Sequence, residues 1–390
     1  IEKFRSERPE STIVVSSGDN FIPGPRFNAS SDASLSTERT LGSAGAGRAD
    51  IAFLNAIGVQ ASALGNHELD LSPASFASII AADKRWSGAK FPYLAYNVDF
   101  SAEAATARLT IPNGQAAART AGSVTGWVTV EIDDEVIGII GASSPIFPTI
   151  TSVSDLTFSP PANGRNDFDV EMLAAKLQRG VDEMVAVGIN KIVMLSHMQQ
   201  IEIEKQLATK LRGVDIIVAG GSNAVLADND DQLRDGESRA DTYPIELVSA
   251  ANEPVVVVNT GPDYKYLGRF IAPFNKAGLL VPSAFDSVLS GAVATTEGAE
   301  SAEGVAANNQ LIAIRDALND VLISKDGNVP GYAAVFLEGR RSAVRNEETN
   351  LGNLTADANL WYAQQNGQAA LISLKNGGGI RAEIGQAITP

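Results

Sequence analysis

Ala63-Leu64-Gly65-Asn66-His67-Glu68-Leu69-Asp70 holds one of only two histidines in a chain of 390 residues. A strand candidate over 59–64 runs straight into it, which puts the polar side chains at a strand end. Asn66 offers a neutral carbonyl ligand, and the His67 imidazole can protonate a leaving oxygen near neutral pH. Asp70, three residues on, can hold that ring in its charged, donor-ready form. Taken alone, the stretch also fits a helix N-terminus with Asn66 as cap and Glu68 in the first turn. Four polar positions in this arrangement favour a site.

The other histidine, His197, ends the apolar run Ile192-Val193-Met194-Leu195-Ser196, where a neutral ring nitrogen can bind a metal. Upstream, Val14-Val15-Ser16-Ser17-Gly18-Asp19-Asn20 brings the Asp19 carboxylate to the mouth of a sheet, where α/β proteins bind ligands. A plain turn is its alternative reading. Downstream, Asp215-Ile216-Ile217-Val218-Ala219-Gly220-Gly221-Ser222-Asn223 repeats the order of strand, glycines and polar side chains.

Strand candidates at 12–16, 59–64, 93–98, 126–132, 136–142, 191–196, 215–219, 245–249 and 255–260 alternate with amphipathic segments at 49–57 and 168–187. The pair 126–132 and 136–142, joined by Asp133-Asp134-Glu135, reads as an antiparallel hairpin. Near-continuous apolarity in 191–196 and 215–219 predicts sheet buried on both faces. The expectation is a layered α/β domain with mixed sheets over 1–275, and a linker and bridging helix over 276–325. Within the linker, 283–307 is rich in Ala, Ser, Gly and Glu, while Leu311, Ile314, Leu318 and Val321 mark the helix. A second, incomplete α/β unit follows over 326–390.

The net charge of −16 repels phosphate polymers and argues against a nucleic-acid binder, whereas a local metal centre still admits a small phosphorylated substrate. With no cysteine, disulfides and thiolate metal sites are excluded. No apolar run reaches the length of a transmembrane helix. The acidic insert Asp228-Asn229-Asp230-Asp231 lacks the spacing of an EF-hand loop and reads as a solvated loop.

In this order the motifs resemble the calcineurin-like metallophosphoesterases, in their bacterial 5′-nucleotidase branch. The resemblance rests on Asp19, the Gly65-Asn66-His67-Glu68 block, His197, Gly220-Gly221, Pro254-Val255-Val256-Val257-Val258 and Tyr266-Leu267-Gly268. It continues through Glu348-Thr349-Asn350-Leu351-Gly352-Asn353 and Asn376-Gly377-Gly378-Gly379-Ile380-Arg381. It implies an α-β-β-α catalytic domain with two divalent ions (Mn, Ca, Mg or Zn), bridged by Asp19, with Asn66 and His197 ligating one of them. His67 would act on the leaving group, steadied by Asp70. The C-terminal unit would bind substrate through Asn353, Asn376, the glycines Gly377 and Gly378, and Arg381. The implied substrate is a nucleotide or small phosphate ester, and the implied compartment is periplasmic or extracellular.

Two features depart from that family. Its first strand carries an Asp-x-His that residues 1–10 do not match, so this strand is expected upstream of Ile1 or absent. Its Gly-Gly-His-x-His is here Gly220-Gly221-Ser222-Asn223, where Asn223 can supply a carbonyl oxygen suited to a harder cation than zinc. Two other readings therefore stand beside the phosphatase: a surface protein that keeps the fold with a crippled site, and a phosphodiesterase or nucleotide-sugar hydrolase.

Overall fold

The computed structural model describes residues 1–38, 41–164, 167–295, 309–326 and 332–385. The chain divides into two compact units, Ile1–Leu322 and Ile323–Pro390.

In the first unit, small and β-branched residues build two sheets. Four short parallel strands lie side by side: β1 (Val15–Ser16), β2 (Ala61–Ala63), β3 (Tyr93–Leu94) and β6 (Val124–Thr125). The second sheet has seven strands. In spatial order these are β12 (Ile245–Val248), β13 (Pro254–Val258), β11 (Ile216–Val218), β10 (Ile192–His197), β8 (Glu135–Ser143), β7 (Trp127–Ile132) and β5 (Gln115–Ala116). β4 (Val98–Asp99) and β9 (Thr157–Phe158) form a separate antiparallel pair. β10 pairs in parallel with both β8 and β11, which explains its unbroken apolar run. The expected hairpin is β7–β8: Asp133 and Asp134 take φ of 49° and 61° at its turn, as a two-residue primed turn requires.

The sheets pack face to face. Ala61, Ala63 and Leu94 of one meet Val128, Val130, Ile139 and Leu195 of the other. Helices Arg48–Ile57 and Pro73–Ile80 cover the outer face of the first sheet, through Ile51, Leu54, Phe76 and Ile80. Helices Val170–Ala186 and Ile201–Lys210 cover the second, through Leu173, Leu177, Val181, Met184 and Leu207. The mixed α/β layering is thus the one expected. The carboxyl ends of the parallel strands β1, β2, β10 and β11 lead into the loops that matter for function.

Three local expectations change. The strand expected over 12–16 is reduced to β1, and that over 93–98 breaks after Leu94, where Tyr96 N–H instead donates to Gly141 O at 2.8 Å. The stretch 283–307, read as linker or weak helix, contains β15 (Gly291–Ala294), paired antiparallel with β14 (Tyr266–Arg269). Small residues alternating so weakly hide a strand that its partner specifies. Residues 296–307 of that stretch lie outside the described ones. Helix Asn309–Asp326 buries Ile314, Leu318 and Val321 in the first unit's core.

The second unit is built on helix Asn350–Gln365, with Thr349 as N-cap accepting from Gly352 N–H at 3.1 Å. Val344, Leu351 and Ile380 form its small core.

Candidate metal centre

Three loops converge on His197. Its ring is 1% exposed, and its Nδ1 stands 2.6 Å from the carbonyl oxygen of Ser17. A carbonyl only accepts, so Nδ1 carries a hydrogen, and Nε2 is the end turned toward Asp19. Nε2 lies 3.0 Å from Asp19 Oδ2, yet it is buried and makes no hydrogen bond. The other Asp19 oxygen, Oδ1, accepts from His67 N–H at 2.9 Å. Burial pushes the Asp19 carboxyl up, but the charges of His197 and His67 outweigh it and hold the group below its ordinary value. Burial likewise depresses His197, and the Asp19 charge overrides this and lifts the imidazole to about 9.

Asn66 completes the near group. It stands at the N-cap of the short turn His67–Leu69, with Glu68 in that turn as the helix-start reading has it, but its side chain makes no capping bond there. Its Oδ1 instead accepts from the side-chain amide of Gln199, two residues beyond His197. Gly221 borders the same space: a methyl group built on it would stand 2.8 Å from His197 Nε2 and 2.9 Å from Gln199 Nε2. Asp19, Gln199 and Asn223 all hold φ between 56° and 71°, a region costing on the order of 1–3 kcal/mol for most side chains. Asn223, expected as a ligand, is exposed.

Glu68 supports this arrangement from below. It is 2% exposed and accepts backbone N–H groups from Asp19 at 2.9 Å, Asn20 at 2.7 Å and Gly65 at 2.9 Å. Its carboxylate therefore ties the β1 loop to the β2 loop. Burial, then the nearby Asp19 charge, pushes it up to about 7, against the pull of those donors. Behind His197, buried Glu204 accepts from Ser196 Oγ at 3.1 Å and Met198 N–H at 3.2 Å, fixing the strand end.

Beside this group, His67 Nδ1 contacts Asp70 Oδ2 at 2.5 Å, and Asp70 Oδ1 accepts from Thr151 Oγ1 at 3.0 Å. The His67 side chain is 17% exposed, so it meets solvent where His197 does not.

Among the described residues, no set of three or more His, Cys, Asp and Glu is arranged to hold a metal ion. The donors that do converge are one carboxylate, one imidazole and amide groups. They fit a divalent cation on geometry: adjacent ligands about 2.1 Å from an octahedral ion stand about 3 Å apart, like Asp19 Oδ2 and His197 Nε2. A buried Nε2 that faces a carboxylate without an aligned hydrogen bond is the other sign of fit. A set of donors for a second ion does not gather among the described residues.

In the second unit, Asn376 Oδ1 accepts from Gly378 N–H at 3.1 Å and so shapes the glycine turn Gly377–Gly379. Gly377 is glycine because a Cβ would sit 2.0 Å from Val344 O; it meets its own chain. Gly378 opens toward Arg345, whose Nη2 would be 3.5 Å from a Cβ there. Burial first, then the charges of Arg341 and Arg381, hold the Arg345 guanidinium below its ordinary value. Three arginines thus gather beside this turn, of which only Arg381 is marked by a sequence motif. Asn353, exposed, donates to Glu348 Oε1 at 2.8 Å in the first turn of its helix.

No protein-family model matches the chain. It is 27% identical to the snake venom 5′-nucleotidase of Gloydius brevicauda over 345 residues, 87% of this chain and 51% of that protein. It is 28% identical to the 5′-nucleotidase of Homo sapiens over 337 residues, 85% of this chain and 51% of that one. The chain therefore spans about half the length of these relatives. Among solved structures, a 5′-nucleotidase precursor from Thermus thermophilus superposes with a TM-score of 0.73 at 28% identity, covering 98% of this chain and 63% of that one. No described helix is long and apolar enough to cross a membrane.

Proposed function

We propose that the chain is a metal-dependent phosphomonoesterase of the calcineurin-like, 5′-nucleotidase type, acting on nucleotides or small phosphate esters, in line with its likeness to 5′-nucleotidases. The observation that carries this reading is the convergence of Asp19, Asn66 and His197 from three separate loops, with the His67–Asp70 pair beside them. In it, Asp19, Asn66 and His197 would hold a divalent cation (Mn, Mg, Ca or Zn). A bound divalent cation neutralises phosphoryl oxygens and lowers the pKa of the attacking water.

His67 donates to the leaving oxygen. Asp70 fixes the ring through Nδ1 and so sets Nε2 as the end that transfers the proton. In the second unit, Arg341, Arg345 and Arg381 bind the phosphate or sugar, since planar guanidiniums match phosphate oxygens in pairs. Asn376 and the glycines Gly377 and Gly378 shape that pocket, with Asn353 at its edge. Asn223 remains a further candidate ligand. Residues 1–275 form the catalytic domain, 276–325 the connection and 326–390 the substrate domain. The family resemblance supports a periplasmic or extracellular location.

The test is phosphate release by the full chain with Mn²⁺ from 5′-AMP, p-nitrophenyl phosphate and bis(p-nitrophenyl) phosphate. Turnover of both monoesters is expected, and turnover of the diester alone would replace this reading by a phosphodiesterase. The sparse set of acidic and imidazole donors favours a second reading, a surface protein retaining the fold. Inert protein that binds no cation would establish it.

A further inference from the structure

Gln199 belongs to no motif, yet, half-buried, it reaches into the centre. Its backbone holds φ of 71°, a conformation that glycine or asparagine takes far more easily. Its side chain nevertheless turns inward, and its amide nitrogen donates to Asn66 Oδ1. One point, where a Gly221 Cβ would lie, is within 3 Å of both the Gln199 amide and His197 Nε2. That point is closed to carbon by Gly221 and faced by a buried ring nitrogen that has no hydrogen bond.

We infer that Gln199 is a ligand of the cation held by Asp19, Asn66 and His197, a role that rests on the reading of this centre as a metal site. Half a turn of the amide about its last side-chain bond exchanges nitrogen for oxygen at nearly the same position. With Asn66 Oδ1 given over to a cation, the Gln199 N–H would lose its acceptor, and the turned amide would present Oε1 instead. The donor set becomes one carboxylate, two amide oxygens and one imidazole. Such an oxygen-rich set suits Mn²⁺ or Mg²⁺ better than a tight zinc site. It also explains an energetically unfavourable backbone at this one glutamine: the left-handed turn is what aims a long side chain back across the loop.

The experiment is calorimetric titration of the full chain, stripped by chelator, with Mn²⁺ alone, for wild type, Gln199→Gly, Gln199→Glu and Asp19→Asn. Glycine accepts the backbone and removes the ligand, so Gln199→Gly should weaken Mn²⁺ at least about tenfold while the metal-free protein melts no lower. Gln199→Glu should tighten Mn²⁺ about tenfold and lower the melting temperature of the metal-free protein, because its charge faces Asp19. A residue that merely straps two loops together would not tighten the ion when made anionic. If both Gln199 variants stay within about twofold of wild type while Asp19→Asn abolishes binding, the inference is overturned and the metal centre stands. If wild type binds no better than Asp19→Asn, both fall.

Discussion

Asp19 Oδ2 and His197 Nε2 stand 3.0 Å apart in the protein interior with no hydrogen aligned between them. Two electron-rich atoms hold that distance when a positive charge stabilises them together, either a proton on the ring or a cation between them. Asp19→Asn removes the charge that makes the place attractive. Mn²⁺ affinity should drop at least about 100-fold by calorimetry, beyond what the loss of an outer-shell partner costs.

On the proposed reading, His67 would work one step away from the ion. Replacing it with Ala should lower kcat about 10²- to 10⁴-fold while bound Mn²⁺ per chain stays that of wild type. Elemental analysis of the dialysed variant checks this: a loss of metal would show His67 to be a structural element of the centre.

Glu68→Gln keeps the shape but puts an NH₂ group against one or more of the three N–H donors that the carboxylate now receives. Each donor left without an acceptor costs about 1–3 kcal/mol. Urea unfolding should show a loss of that size, accompanied by weaker Mn²⁺ binding.

Gly221→Ala places a methyl group 2.8 Å from His197 Nε2 and forces an L-residue to φ of 80°. The backbone change costs about 1–2 kcal/mol. The methyl should also exclude the cation, so the variant is expected to fold at a lower melting temperature and to give no calorimetric signal with Mn²⁺.

Asp215 supplies the pH dependence. It is buried and accepts from Ile192 N–H at 2.8 Å, and burial raises its carboxyl to about 7, far above the value near 3.8 of an ordinary Asp. Between about pH 4 and 7 the folded chain therefore holds a proton that the unfolded chain releases. Stability falls as pH rises through that window and levels off above it. Asp215→Asn lacks this loss, so its stability relative to wild type should climb by up to about 1.4 kcal/mol per pH unit. Paired urea curves at pH 5 and 7.5, both with chelator, measure the difference, and equal gaps would refute it.

The candidate site of the first unit is legible in the sequence where a rare residue type stands at a strand end. Asp19, Asn66, His67, Asp70 and His197 stand out because polar side chains follow apolar runs. Glu68 reads from its neighbours as a solvent-facing first-turn acid, since nothing local reveals that its turn faces inward under two loops. Gln199 carries no signal either, because a left-handed φ leaves no trace in composition. Arg341 and Arg345 sit in an ordinary basic stretch, and only the fold of the second unit brings them to Arg381. The same holds for β15, whose Gly-Ala-Val-Ala sequence becomes a strand through its pairing with β14.

A single carboxylate that collects three amide hydrogens from two distant loops also sets a clock. Asp19 and Asn20 cannot expose their amides one at a time, because both rest on this one carboxylate and parting the β1 loop from Glu68 frees them together. In deuterium these two sites should therefore exchange together. The polypeptide should have no state in which half of the centre is formed.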